Sequence, residues 1–306
     1  MNKYSIAIHG GAGTIRRETL TPEQEKSYLS ALEEALDAGY KILEKNGTAL
    51  DAVEAAVVSL ENCPLFNAGK GSVFTADGKH EMDAAVMDGR HMTAGAVAGV
   101  AGVRNPIVLA RAVMENSEHV LLSGKGAEEF ARTLNLPFES EDYFYNAYRY
   151  EQWQQVKGEA TTLLDHSEKK FGTVGAVALD QSGNLAAATS TGGMTNKRYG
   201  RIGDTPLIGC GTWADNRCAI SCTGHGEYFI RAVAAYDIAC LMKYKGCTLA
   251  EACRIVVQET LKQSGGEGGL VAVDQAGNVV LEFNSEGMYR GSIDAGGKKN
   301  VAIYRQ

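Results

Sequence analysis

Gly172-Thr173-Val174-Gly175-Ala176-Val177-Ala178-Leu179-Asp180 is the stretch from which the fold can be read. Val174 to Leu179 is a short continuous apolar run, the pattern of a strand covered on both faces. Asp180-Gln181-Ser182-Gly183-Asn184 supplies a turn, and Leu185 to Thr189 the return strand. The pattern recurs near the C-terminus as Leu270 to Val273, the turn Asp274-Gln275-Ala276-Gly277-Asn278, and Val279 to Phe283. Between the hairpins lie two helices, one from Glu227 to about Lys243 and one opened by the capping box Thr248-Leu249-Ala250-Glu251. Hairpins with helices in blocks, without strict β-α-β alternation, predict an α+β fold of sheets packed between helical layers.

Upstream, Tyr4 to His9 reads as a buried strand that stops at Gly10-Gly11-Ala12-Gly13. Thr21-Pro22-Glu23-Gln24 carries an N-cap, an N1 proline and a capping-box glutamine. Leu29, Leu32, Leu36, Tyr40 and Leu43 continue that helix at spacings of three and four, and Gly47 closes it. Thr48 opens a second helix with Val53, Val57 and Leu60 on its buried stripe. A loop from Cys63 to Gly69 follows, then strand-like pieces from Ser72 to Ala101 and helices over Pro106 to Asn116 and Gly126 to Leu134. From about Pro137 an aromatic cluster (Tyr143, Phe144, Tyr145, Tyr148, Tyr150, Trp153) gives way to a polar tract, and about 158–172 is expected to be a mobile linker.

Composition narrows the class. With 306 residues, 44% of them hydrophobic, the chain can bury a large core without staples. A net charge of −7 with no basic run argues against nucleic acid or an anionic membrane as partner. Glycine is abundant, 36 residues against a typical ~7% of a chain, and it clusters in apolar-flanked motifs where it allows turns or close approach to a ligand. The seven cysteines are odd in number and lack a C-x-x-C pair, so they read as reduced cytosolic thiols. Cys218-x-x-x-Cys222 has no partner at metal-finger spacing. The N-terminal apolar run is too short for a signal peptide, and nothing approaches the ~18 apolar residues of a membrane span.

Simple motifs fail. His9-Gly10-Gly11-Ala12-Gly13 follows a strand, but Arg16 stands where a dinucleotide fingerprint needs glycine. The G-x-S-x-G elbow that would accompany a lipase-like oxyanion loop is absent. Gly172-Thr173 offers different chemistry. Threonine needs a base, and an α-amino group can serve when threonine begins a chain. That amine, with an ordinary pKa of about 7.7–8.0, suits work near neutrality. The chain would first have to break before Thr173. The ordinary alternative is a β-branched residue opening a strand.

GTVGAVALD is followed by ATSTGGMTNK, GRIGDTPLIG and SCTGHGEYFIR, and preceded by HGGAG, SLENCPLFNAGKGSVFT, EMDAAVMDG, AGAVAGV and RNPIVLA. Together these resemble the plant-type L-asparaginase/isoaspartyl peptidase family of N-terminal nucleophile hydrolases, over all but roughly 137–170. The resemblance implies a four-layer αββα sandwich forming a single domain over 1–306, autocleaved into subunits 1–172 and 173–306, and a dimer of cleaved protomers. It implies hydrolysis of L-asparagine and β-aspartyl dipeptides in the cytoplasm, with no cofactor for the chemistry.

Residue by residue, the resemblance makes Thr173 the nucleophile, with Gly172-Thr173 the cleavage site, and Thr191 the threonine that helps activate it. Arg201 matches the grip on the substrate α-carboxylate, for which a planar guanidinium is suited, and Asp204 the acceptor of the α-ammonium. Without the family these two would read as a surface ion pair. Thr223 and Gly224 match the oxyanion hole, Gly226 a further substrate contact, and Asn67 a residue lining the nucleophile pocket. The backbone carbonyls of Leu60, Glu61, Cys63, Phe66, Ala68 and Lys70 match a structural sodium site, in keeping with a hard cation's preference for oxygen. His225 departs from the small hydroxyl residue common in bacterial relatives. Two rivals remain: a glycosylasparaginase-like enzyme, disfavoured by the missing signal peptide, and an uncleaved aspartate-binding protein that has lost maturation.

Overall fold

The computed structural model describes residues 3–157 and 172–305. Apart from Gly172, the linker expected at about 158–172 lies outside the described residues. In chain order the elements are β1 (Ser5–Gly13), α1 (Pro22–Glu44), α2 (Ala49–Glu61), β2 (Met82–Asp88), β3 (Thr93–Val100), α3 (Pro106–Asn116), β4 (Leu121–Ser123), α4 (Gly124–Thr133), α5 (Glu141–Phe144) and α6 (Ala147–Val156). There follow β5 (Val174–Leu179), β6 (Leu185–Thr191), β7 (Thr212–Ala214), β8 (Cys218–Gly224), α7 (Gly226–Ala232), α8 (Ala234–Lys245), α9 (Leu249–Arg254), β9 (Gly268–Asp274), β10 (Val279–Phe283), β11 (Gly287–Ile293) and β12 (Lys299–Tyr304).

Among the described residues, the strands form an eight-stranded sheet ordered β12-β11-β1-β5-β6-β2-β3-β4 and a four-stranded sheet ordered β10-β9-β8-β7. Helices α1, α2 and α3 cover the outer face of the large sheet, and α8 and α9 cover that of the small one. The sheets face each other through β1, β5 and β6 against β8 and β9. Three apolar clusters fill the spaces between layers: Ile6, Leu36 and Val57 on one side, Val177, Leu185 and Val271 between the sheets, and Ile220, Ile238 and Val256 on the other. This is the α+β, αββα arrangement expected from the hairpins and helix blocks.

Local signals account for much of it. Thr21 and Thr248 each form a complete capping box, and Thr48 caps α2. The two Asp-x-x-Gly-Asn turns are built alike. Asp180 Oδ1 accepts from the Ser182 and Asn184 amides, and Asp274 Oδ1 from those of Ala276 and Asn278.

Three expectations need correction, and one helix runs on in a form the sequence left open. The first strand does not stop at Gly10; β1 runs on to Gly13 after a register shift between His9 and Gly11, because β11 pairs with both halves. The first helix ends at Glu44, with Asn46 rather than Gly47 in the left-handed conformation. The helix expected from Glu227 to Lys243 is broken at Val233, whose φ is 48°. Amides just beyond the break, at Ala235 and Tyr236, bond instead to the carbonyls of Cys210 and Gly209. The helix opened by Thr248 continues as a π-helical run over Ile255–Leu261.

Candidate active site

The antiparallel hairpin of β5 and β6 places the centre of the site. Val174 pairs with Ser190, which puts Thr173, just before β5, opposite Thr191 at the end of β6. Thr173 is buried, and its Oγ1 donates to Thr191 Oγ1 at 3.1 Å. Thr191 Oγ1 lies 3.1 Å from the Gly172 carbonyl and accepts from the Gly193 amide at 3.0 Å. Asn67 Nδ2 donates to the Gly172 carbonyl at 2.8 Å and to that of Gly193 at 2.7 Å. Asn67 is itself fixed by the Val73 amide on its Oδ1 and the Gly192 amide on its carbonyl. A Cβ on residue 172 would come within 2.6 Å of Asn67 Cβ, so glycine is required by close approach.

The carbonyl before Thr173 is thus held by two donors, with the Thr173 hydroxyl tied to one of them.

Gly172, Thr173, Thr191, Arg201, Asp204 and Gly224 line one small cleft. Arg201 and Asp204 are not the surface ion pair their spacing suggests. Arg201 places its Nε and Nη2 on the two oxygens of Glu227, both at 2.9 Å. Asp204 is buried with Oδ2 unpartnered. Burial pushes its pKa up to about 7, against the opposing pull of its backbone and of Arg201. A buried carboxylate oxygen without a donor, beside a guanidinium, is prepared for a cationic group. Gly226 begins α7 with its Cα against both residues, since a Cβ there would lie 2.9 Å from Arg201 Nη2 and from Asp204 Oδ1.

Thr223 is buried at the end of β8, where its Oγ1 accepts from the Ala12 amide at 3.2 Å. An accepting hydroxyl is polarised to donate more strongly. Gly224 follows in the cleft wall, with φ at 150° and no room for a side chain, since a Cβ there would fall 2.4 Å from the Glu267 carbonyl oxygen.

Asn67 belongs to the segment Leu60 to Lys70. Leu60, Glu61, Phe66 and Ala68 are buried, and the Glu61 and Phe66 carbonyls turn toward Gly69 and Gly71. The Lys70 ammonium sits over the Tyr143 ring at 5.2 Å. The Glu61 carboxyl is pushed up to about 7 by burial, despite bonds from Ser190, Asn105 and Ile107.

Sequence reasoning missed several groups at the site. Glu227 neutralises Arg201, and His225 Nε2 approaches the same carboxylate at 3.1 Å. Burial works to raise the Glu227 carboxyl, yet the His225 and Arg201 contacts hold it well below the usual carboxylate range. Lys197 is buried beside Gly193, donates to the Glu81 carbonyl at 2.6 Å and faces the buried Asp83. His9 is buried behind Thr173, with Nδ1 2.9 Å from the Thr173 carbonyl. The only sequence signal for these groups was their presence within motifs already singled out.

Two facing sheets between helices, with a threonine at the mouth of a central strand, define an N-terminal nucleophile hydrolase fold. Comparison with known proteins narrows the class. The asparaginase family model matches residues 2–303, and the chain belongs to that family. It is 56% identical to the isoaspartyl peptidase of Salmonella typhimurium over 313 residues, covering the whole of both chains. It is 55% identical to the isoaspartyl peptidase of Escherichia coli, covering all of this chain and 98% of the relative. It is 44% identical to a plant-type L-asparaginase of Pyrococcus abyssi, covering 93% of this chain and 94% of the relative.

Proposed function

We propose that this chain is an isoaspartyl peptidase and L-asparaginase that cuts itself before Thr173 and then uses that residue as an N-terminal nucleophile. The observation that carries the reading is the Gly172 carbonyl held by Asn67 and Thr191, with the Thr173 hydroxyl on the same Thr191. In maturation, Thr173 Oγ attacks the Gly172 carbonyl carbon and the peptide C–N bond breaks, leaving an ester. Water hydrolyses the ester, giving Gly172 a carboxylate and Thr173 a free hydroxyl and α-amine. Subunits 1–172 and 173–306 stay together through the shared large sheet.

In turnover the α-amine takes the hydroxyl proton as Thr173 Oγ attacks the side-chain carbonyl of the substrate. The Thr223 hydroxyl and the Gly224 amide stabilise the tetrahedral oxyanion, a contribution of ~10²–10³ in rate per donor in comparable sites. Collapse expels ammonia from asparagine, or an amino acid from a β-aspartyl dipeptide, and returns the proton to it. Water then releases aspartate. Arg201 reads the substrate α-carboxylate, Asp204 its α-ammonium, and Gly226 leaves room for both.

The buried carbonyls of the 60–70 loop fit a monovalent hard cation such as sodium, which would stiffen the loop that carries Asn67. The chain works as a dimer of cleaved protomers. Its seven unpaired cysteines fit a reducing compartment, the cytoplasm; no described helix is long and apolar enough to cross a membrane.

The test is intact mass with N-terminal sequencing, alongside assays with β-aspartyl-leucine, asparagine and a glycosylated asparagine. A new chain beginning at Thr173, hydrolysis of the first two substrates and an uncleaved, inactive Thr173→Ala protein are expected. Full-length protein that turns over β-aspartyl-leucine at undiminished speed would end the proposal.

A further inference from the structure

His9 belongs to β1 of the large sheet and is completely buried. Its Nδ1 lies 2.9 Å from the Thr173 carbonyl oxygen, and its Nε2 lies 2.9 Å from Ser221 Oγ on β8 of the small sheet. Ser221 Oγ is 2.7 Å from Thr189 Oγ1, which accepts from Thr212 Oγ1 at 2.7 Å. Thr212 Oγ1 is also 3.1 Å from the carbonyl of Thr205, the neighbour of Asp204. The His9 ring and Ser221 press on Gly175, where a Cβ would fall 1.9 Å from Ser221 Oγ and 2.5 Å from His9 Nε2. This is why the strand after Thr173 reads Val-Gly-Ala.

A carbonyl oxygen only accepts, so the contact with Thr173 requires the proton on Nδ1. Burial pushes the imidazole pKa down to about 3, against the pull of that carbonyl, so near neutrality the ring carries a single proton. Nε2 must then accept, and the Ser221 hydroxyl donates to it in preference to the more distant Ala188 carbonyl at 3.2 Å. With the Ser221 proton committed, Thr189 donates to Ser221 at 2.7 Å in preference to the Gly211 carbonyl at 3.5 Å, and Thr212 shares its one proton between Thr189 Oγ1 at 2.7 Å and the Thr205 carbonyl at 3.1 Å. The Thr173 carbonyl on one ring nitrogen thereby sets the role of the other, and the Ser221 hydroxyl supports the same tautomer by donating to Nε2.

We propose that His9 is a positioning residue for the nucleophile, its Nδ1–H holding the Thr173 carbonyl while the Ser221–Thr189–Thr212 hydroxyl chain supports that tautomer. The proposal rests on Thr173 being the nucleophile. Scission frees the amine side of Thr173 from Gly172, and β5 pairing begins only at Val174. The residue that must aim both amine and hydroxyl therefore keeps, among the described residues, a side-chain anchor on its own backbone carbonyl, and that anchor is His9.

Asparagine at position 9 places an amide N–H near the Nδ1 site, whereas glutamine reaches the Nε2 site and leaves the Thr173 carbonyl unheld. His9→Asn is expected to self-cleave and to keep kcat on β-aspartyl-leucine close to that of the parent. His9→Gln is expected to lose roughly 10- to 100-fold in kcat at unchanged KM, the scale of a small misplacement of a reacting group. Equal losses in the two variants, or a rise in KM alone, would overturn the assignment, since packing without a tether predicts no difference between them. If either variant fails to fold, ¹⁵N-histidine spectra of the parent decide: a neutral ring protonated on Nδ1 supports the proposal, and one protonated on Nε2 refutes it. Thr173→Ala run in parallel separates the readings, because an active Thr173→Ala protein removes the nucleophile assignment whatever His9 does.

Discussion

Arg201 gives its Nε–Nη2 edge to Glu227, both contacts at 2.9 Å, and keeps its Nη1–Nη2 end toward Gly203 and Gly226 in the cleft. A guanidinium has two edges that can each hold a carboxylate. Glu227 occupies one and so sets the plane of the other, the edge to which the proposed function assigns the substrate α-carboxylate.

Lysine at position 201 has no planar fork and cannot serve both partners. Arg201→Lys is expected to raise KM for asparagine and β-aspartyl-leucine by roughly 10- to 100-fold, the loss of one bidentate charge-assisted contact. Glu227→Gln keeps one acceptor and should raise KM by less, about tenfold, with kcat little changed. Steady-state kinetics on both variants check this; a fall in kcat at constant KM would show that Glu227 serves the chemistry instead.

Asn67 donates to the Gly172 carbonyl, where the proposed self-cleavage would develop negative charge. Asn67→Asp puts a carboxylate there and removes the donor, so maturation is expected to slow by at least ~10²-fold, the cost of losing an oxyanion donor. A time course on denaturing gels measures it. Two bands appearing at the parental rate would remove Asn67 from the maturation machinery.

What the sequence disclosed follows from how local each signal is. The run Val174–Leu179, the Asp-x-x-Gly-Asn turns and the threonine caps depend on neighbours a few residues away, and these elements stand where the patterns put them. A third turn built the same way, with Asp294 Oδ1 accepting from Gly296 and Lys298, went unread because Ala295-Gly296-Gly297-Lys298 lacks the Gly-Asn pair. The break at Val233 was hidden because a β-branched residue disfavours positive φ, and only distant carbonyls at Gly209 and Cys210 hold it there. Strands β11 and β12 went unread too: β11 is buried on both faces and β12 is mostly exposed or half-buried, so neither shows an inside–outside alternation. At the site, the family pattern named residues expected to touch substrate. Glu227 and His9 act on those residues across 26 and 164 positions of chain, a relationship that no spacing rule contains.

The buried, neutral His9 gives a stability signature. Its folded pKa, about 3, lies below the ordinary 6.5. Below pH 6.5 the unfolded chain takes up a proton that the folded chain does not, so this stabilisation is complete above 6.5 and lost as pH falls toward 3. His9→Asn abolishes the effect. In a Thr173→Ala background, where the chain stays whole, the stability advantage of the histidine-bearing protein over its His9→Asn counterpart should shrink by about 2 kcal/mol between pH 6.5 and 4.5. Urea unfolding at several pH values measures it, and carboxylates common to both proteins cancel. A difference independent of pH would mean that the imidazole is protonated in place.

Asp204 binds an ammonium only when ionised, and burial places its pKa at about 7 in the free site. Above that value the carboxylate is present; as pH falls through it, the group becomes neutral and the attraction is lost. KM for β-aspartyl-leucine should therefore climb on the acid side, approaching tenfold per pH unit below about 6. The freed Thr173 amine, with an ordinary pKa of about 7.7–8.0, is also silenced by acid, but its loss appears in kcat as well. Asp204→Asn separates the two: its KM should be high and flat across pH 5–8 while its kcat keeps the acid limb. An acid rise in KM that survives in Asp204→Asn would assign the titration to another group and leave Asp204 without its role in ammonium recognition.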